Sequence, residues 1–166
     1  WGYCRLVPTK PEPGKLAPPL VESNLSATVF ALEALKAAGH TDRAVSDAAR
    51  VFVHRCQNYD SDQAGFAPRR PNDGGFHFIY DDPVRNKAGS PDPLTVQPTH
   101  FHSYGSTTAD GLRALRLCDE PDAQRLDKAK DWLKQHATFD RHPGKYVEAA
   151  ERNRDAVYYY YVASAS

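Results

Sequence analysis

Two stretches of this sequence decide the fold: Ser26-Ala-Thr-Val-Phe-Ala-Leu-Glu-Ala-Leu35 and, eighty residues later, Ser106-Thr-Thr-Ala-Asp-Gly-Leu-Arg-Ala-Leu115. Both carry apolar residues at the spacing of three and four that is typical of a helix packed on one side. Without a gap, residues 26–57 and 106–137 share eight identical positions, and a second amphipathic stretch follows in each. The sequence therefore predicts two copies of an α–α hairpin, over 23–58 and 105–141.

Polar residues, glycine and proline mark the ends of the predicted helices. Ser23 or Asn24 is the expected N-cap of the first helix and Gly39 its stop, and Thr41-Asp42 starts the second helix. In the second hairpin, Asp119-Glu120-Pro121 is expected to stop one helix and restart the next, with the proline just inside the new helix.

Prolines separate the hairpins from the rest of the chain. Eleven of the 13 prolines lie between Pro8 and Pro19 or between Pro68 and Pro98, where a helix would lose backbone donors. We expect 1–22 to be the tail of a preceding repeat and a linker, and 59–104 to be a long, ordered loop, with a short hairpin near Gly74-Gly75. Residues 142–166 would begin another repeat. The predicted fold class is all-α.

Composition excludes several classes of function. Basic and acidic residues are equal at 21 each among 166 residues, which argues against a nucleic-acid-binding protein. No apolar run approaches the ~20 residues that span a bilayer, so no transmembrane segment is expected. Three widely spaced cysteines argue against a disulfide framework, and no cofactor is predicted. The chain begins at Trp1 and has no methionine, so we expect a segment of a longer protein, whose localisation and oligomeric state stay open.

Several motifs resemble a known family. Val51-Phe-Val-His-Arg-Cys-Gln-Asn58 followed by Asp73-Gly-Gly-Phe76 resembles the repeat of squalene cyclases and protein prenyltransferase β-subunits. Ser103-Tyr-Gly-Ser-Thr-Thr-Ala-Asp-Gly-Leu112 is similar to prenyltransferase/squalene oxidase repeat proteins of bacteria. The resemblance covers nearly the whole chain and implies part of an α/α toroid, in which the repeat's glutamine and aromatic residue tie neighbouring helices together. Here Gln57 is followed by a longer insert, and phenylalanine replaces the tryptophan of the family.

The catalytic motifs that the resemblance would supply are missing from these repeats. The cyclase acid lies in a D-x-D-D-T motif, and the matching positions 24–28 and 104–108 keep only Thr28 and Thr108. The zinc ligands of prenyltransferases are Asp, Cys and His, and Tyr104 falls near the expected histidine. His100 and His102 are candidate metal ligands, but without a third ligand they are interpreted as loop residues.

Other residues are candidates because of their chemistry. Asp81 and Asp82, beside His77 and Tyr80, form the densest acid–base cluster of the long loop, which exposed turn acids would also explain. Asp110 lies within an apolar helix, where it is either buried and functional or directed to solvent. The remaining candidates are the tyrosines expected to line a cavity or pack in a core, which are Tyr104, Tyr158, Tyr159, Tyr160 and Tyr161. Asp60 opens a stretch like a calcium loop, but the later ligand positions are wrong and a turn is expected.

Three functions remain open from the sequence. The first is a terpenoid-cyclase-like or isoprenoid-binding protein, which as an enzyme would be a cyclase/mutase or a prenyltransferase, with an isoprenoid or another apolar small molecule as its partner. The second is a non-catalytic α/α repeat scaffold or interaction protein. The third is a carbohydrate-active toroid that uses Asp81, Asp82 or Asp110 and needs two carboxyl groups facing one cleft.

Overall fold

The computed structural model describes residues 1–2, 22–60, 72–82, 84–92 and 100–166. This part of the chain is all-α and contains six α-helices and no strand. They are α1 (Leu25–Ala37), α2 (Arg43–Arg55), α3 (Gly105–Leu117), α4 (Ala123–His136), α5 (Asn153–Ala156) and α6 (Tyr158–Ala165), with a 3₁₀ turn at Glu148–Ala150 before α5. None of these helices is long and apolar enough to cross a membrane.

Three of the first four helices, α1, α2 and α4, begin at a side-chain cap. Asn24 accepts a hydrogen bond from the Ala27 amide, Asp42 caps α2 and Asp122 caps α4, so each satisfies an amide that the helix leaves unpaired. The expected caps Asn24 and Asp42 are confirmed. The placement of Pro121 inside α4 is wrong, because the helix begins two residues later and the proline precedes the cap.

Helix α3 lies at the centre of the packing. It contacts α1 on one side and α6 on another, and it also packs against α2 and α4. Its residues from Gly105 to Leu112 are all buried, which explains their small side chains. The main core joins the apolar faces of the first four helices around residues that include Leu25, Val29, Val53, Phe76, Leu115 and Ala129.

The same pair of hydrogen bonds precedes α1 and α3. The amino nitrogen of Trp1 donates to Thr28 Oγ1 over 3.1 Å, and the Trp1 carbonyl accepts from the amide of Asn24 over 2.9 Å. The amide of Phe76 donates to Thr108 Oγ1 over 3.0 Å, and its carbonyl accepts from the Tyr104 amide over 3.2 Å. An extended aromatic residue is thus held against the first turn of both helices.

Gln57 connects the end of α2 to the start of α4. Its side-chain amide donates to the carbonyls of Gly74 (3.0 Å) and Arg125 (3.1 Å), and its Oε1 accepts from the Arg125 guanidinium over 2.8 Å. Because the residue is buried, these bonds replace water that it cannot reach.

The described part of the long loop is ordered around buried amides. Asn58 donates to Phe101 O and Ser103 Oγ, both over 2.8 Å, and Asn86 bonds the backbone from Phe78 to Asp82. The structure describes no strand near Gly74-Gly75, where Phe76 instead forms an isolated bridge with Gln57, and residues 61–71, on one side of the expected short hairpin, lie outside the described part of the chain.

Candidate functional site

Among the described carboxylates, Asp110 is the most deeply buried. It lies in the middle of α3 with no exposed surface. Its Oδ2 accepts a hydrogen bond from Ser26 Oγ of α1 over 3.0 Å and another from the Tyr160 hydroxyl of α6 over 2.6 Å. One carboxylate oxygen therefore joins three helices, and the alternative of a solvent-facing Asp110 is excluded.

The second oxygen of Asp110 is not satisfied in the same way. Oδ1 has no hydrogen-bond partner within the described ranges, and Arg113 Nη1 lies 3.6 Å from it. Arg113 is one turn further along α3 and also pairs with Glu33 of α1. Arg113 thus lies between the buried Asp110 of α3 and the partly exposed Glu33 of α1. It adds a second connection between these two helices.

The environment of Asp110 favours a proton on this carboxyl at higher pH than usual. Burial raises the pKa of Asp110, and the hydrogen bonds from Tyr160 and Ser26 oppose this shift only in part. Burial and the charge of Asp110 also raise the pKa of the Tyr160 hydroxyl, so Tyr160 stays a donor. Asp110 can hold a proton, but its side chain has no surface open to solvent.

The other candidate tyrosines do not gather at Asp110. Tyr104 and Tyr161 are buried against His142, with ring centroids 5.6 and 5.2 Å from the imidazole. The Tyr158 hydroxyl donates to the carbonyl of Phe139, and Tyr159 is 85% exposed. Among these residues, Tyr160 contacts the buried acid and the others pack or face outward.

His142 is a buried polar residue that no sequence motif singled out. Its Nε2 accepts from the amide of Ser106 over 2.9 Å, at the start of α3, where Tyr104 provides no side-chain cap. The proton of the neutral ring must then lie on Nδ1, which faces the Tyr146 hydroxyl at 3.0 Å. Burial, followed by the charge of Arg154, lowers the pKa of His142 to about 4. A neutral imidazole thus caps α3.

The loop acids form a turn. Asp82 Oδ1 accepts from the amides of Val84 and Arg85, and its Oδ2 pairs with the Arg85 guanidinium over 3.0 Å. Asp81 is exposed beside it. Partial desolvation, followed by the charge of Asp82, raises the pKa of Asp81. Asp82 thus stabilises a turn, which is the alternative to an acid–base role that the sequence leaves open for Asp81 and Asp82.

Among the described residues, His100 and His102 have no third side chain that would complete a metal site. The amide of His102 donates to Gly89 O over 2.9 Å, and burial lowers the pKa of its ring. His77, more than twenty residues earlier in the chain, is buried, and desolvation lowers its pKa to about 3. Within the described ranges no three His, Cys, Asp or Glu side chains converge as a metal site would require.

Cys56 and Cys118 are buried free thiols, as expected for two of the three cysteines, and Cys4 lies outside the described residues. Most of the stretch that resembles a calcium loop also lies outside them, since only Asp60 of its opening residues is described.

Comparison with known proteins gives no relative: no family model, no curated protein and no solved structure matches this chain.

Proposed function

We propose that this chain forms part of the wall of an α/α toroid of the squalene cyclase and prenyltransferase-repeat type, and that it acts as a structural scaffold. Its buried polar side chains join neighbouring helices, so the segment supports a ring and contributes no reacting group. The observation that carries the proposal is the position of Asp110, which bonds Ser26 of α1 and Tyr160 of α6 from the middle of α3.

The hydrogen bonds before α1 and α3 support a repeated unit. Trp1 with Thr28 and Phe76 with Thr108 use the same atoms in the same way, and the two threonines are 80 residues apart. Amphipathic periodicity alone would not reproduce a specific contact of this kind. The match therefore favours two copies of one structural unit over two unrelated helical hairpins.

The order of packing also suits a toroid. Helix α3 contacts α1, which precedes it in the chain, and α6, which follows it. Helices α2 and α4 also pack against α3. The side chain of Gln57 ties α2 to α4, the task that the glutamine of the family repeat performs. These contacts are those expected of an inner layer and an outer layer of helices.

A second candidate function is proton donation to an isoprenoid. It is favoured by the unbonded Oδ1 of Asp110 and by the raised pKa of this carboxyl, since a cyclase acid must hold its proton until an alkene reaches it. Against it stand the complete burial of Asp110 and the donors that surround it. Ser26, Tyr160 and Arg113 favour the ionised form of this carboxyl, so they oppose retention of the proton that a cyclase acid must hold until an alkene arrives.

A product assay separates the two functions. The full-length protein is incubated with squalene and, separately, with prenyl diphosphates, and the extracts are analysed by mass spectrometry for cyclised or transferred products. A scaffold yields none. A product that the native protein forms and Asp110→Asn does not form would overturn the scaffold and establish the acid, provided that circular dichroism shows Asp110→Asn to be folded.

A further inference from the structure

A groove lies at the hairpin-turn end of the first repeat, away from Asp110. It has a volume of about 550 Å³, within the size range of small-molecule sites, and it opens between the ends of α1 and α3 and the start of α2. Its walls include apolar, cationic and acidic side chains. We propose that this groove binds a small carboxylate that carries an apolar tail.

The apolar wall of the groove comes from three leucines. Leu32 and Leu35 of α1 and Leu117 of α3 line it, and Leu35 and Leu117 are only partly buried by the rest of the fold. A hydrocarbon chain laid against them would cover apolar surface that is now in contact with water. Such burial would stabilise the bound tail.

The charged rim favours an anion. Arg50 is already held, because its Nη2 pairs with Asp47 over 2.6 Å and its Nη1 donates to the carbonyl of Cys118 over 3.3 Å. Lys36 and Arg43 also line the groove, and neither has an ion-pair partner in the described part of the chain. Asp119 is the remaining acid of the lining, so the unpaired cations outnumber the unpaired acid.

The chemistry of the two cations suits a carboxylate. A guanidinium can donate two parallel hydrogen bonds to the two oxygens of one carboxylate, and an ammonium adds a point charge. Both side chains are exposed, so they can turn toward a ligand without disturbing the core. The head group would lie between Arg43 and Lys36, with the tail directed to the leucines.

The test is a titration with decanoate below its micelle concentration, followed by the methyl and amide NMR signals of the full chain. We expect saturable shifts at Leu32, Leu35 and Leu117, and weaker binding by at least tenfold for decanol and for decyltrimethylammonium, which have the same tail. Equal binding of the three probes, or no saturable shift with decanoate, would overturn the proposal.

Charge reversal locates the head group. Lys36→Glu and Arg43→Glu should each weaken decanoate binding about tenfold or more, while Lys134→Glu, an exposed lysine of α4, is the matched control and should leave it unchanged. Circular dichroism confirms that each variant is folded. An equal loss in all three variants would indicate a general charge effect and would overturn the assignment of this groove.

Discussion

The ring of Phe76 lies against Gly111 so closely that a Cβ atom at Gly111 would stand 2.4 Å from it. Phe76 is completely buried, and its backbone is held at both ends of the residue by the first turn of α3. These bonds fix the backbone of Phe76 beside α3, so its buried ring has little room to shift away from Gly111. A glycine in the middle of a helix, which usually weakens it, is thus required here by the aromatic residue of the preceding loop.

Gly111→Ala is expected to destabilise the protein, although alanine is the better helix former. The new methyl group overlaps the Phe76 ring, and overpacking of this kind costs about 1–3 kcal/mol, more than the ~1 kcal/mol gained from helix propensity. Chemical denaturation of the variant measures the difference. Combining Gly111→Ala with Phe76→Ala should cost less than the two single changes added together, and strict additivity would argue against the contact.

Gln57→Ala should lower the free energy of unfolding by about 2 kcal/mol or more, because it leaves Gly74 O, Arg125 O and the Arg125 guanidinium without their buried partner. Gln124→Ala, on the exposed side of the α4 start, is the control and should change stability by less than about 0.5 kcal/mol. Similar losses in both variants would show that the buried hydrogen bonds of Gln57 contribute no more to stability than the exposed side chain of Gln124 does.

Acid should destabilise the fold through His142. Its pKa is about 4 in the folded chain against 6.5 when unperturbed, so between these values the unfolded state binds more protons. The free energy of unfolding therefore falls as the pH drops from 6.5 toward 4, by up to about 1.4 kcal/mol for each pH unit. The shifted His77 acts in the same direction.

His142→Gln isolates this contribution. Glutamine can still accept a hydrogen bond from the Ser106 amide but does not titrate, so the variant should lose stability less steeply than the native protein over this pH interval. Thermal unfolding followed at a series of pH values measures both slopes. Identical slopes would mean that His142 does not hold the α3 cap in its neutral form.

The sequence was sufficient to predict the parts of the fold that depend on neighbouring residues. The first four helices and the caps Asn24 and Asp42 follow from periodicity and local hydrogen bonding. The error at Pro121 is of the same local kind, since Asp122 competes for the cap and accepts bonds from the two amides that follow Ala123.

The candidate site depended on contacts that no local pattern contains. Asp110 was recognised as unusual, but its partners Ser26 and Tyr160 lie 84 and 50 residues away in the chain. His142 was missed for the same reason, since its role arises only because the loop after α4 returns to the start of α3. Among four consecutive tyrosines, the sequence did not distinguish Tyr160, because the packing of α6 selects it.

A double-mutant cycle on Asp110→Ala and Tyr160→Phe most directly tests whether Asp110 joins the helices. The bond between Tyr160 and Oδ2 is partly buried and ends on a fully buried carboxyl group, so each single change should lower the free energy of unfolding, and the two should be coupled by about 1–3 kcal/mol. Coupling in this range supports a structural carboxylate. Additive effects, within about 0.5 kcal/mol, would contradict the claim that the bond between Asp110 and Tyr160 holds α3 and α6 together.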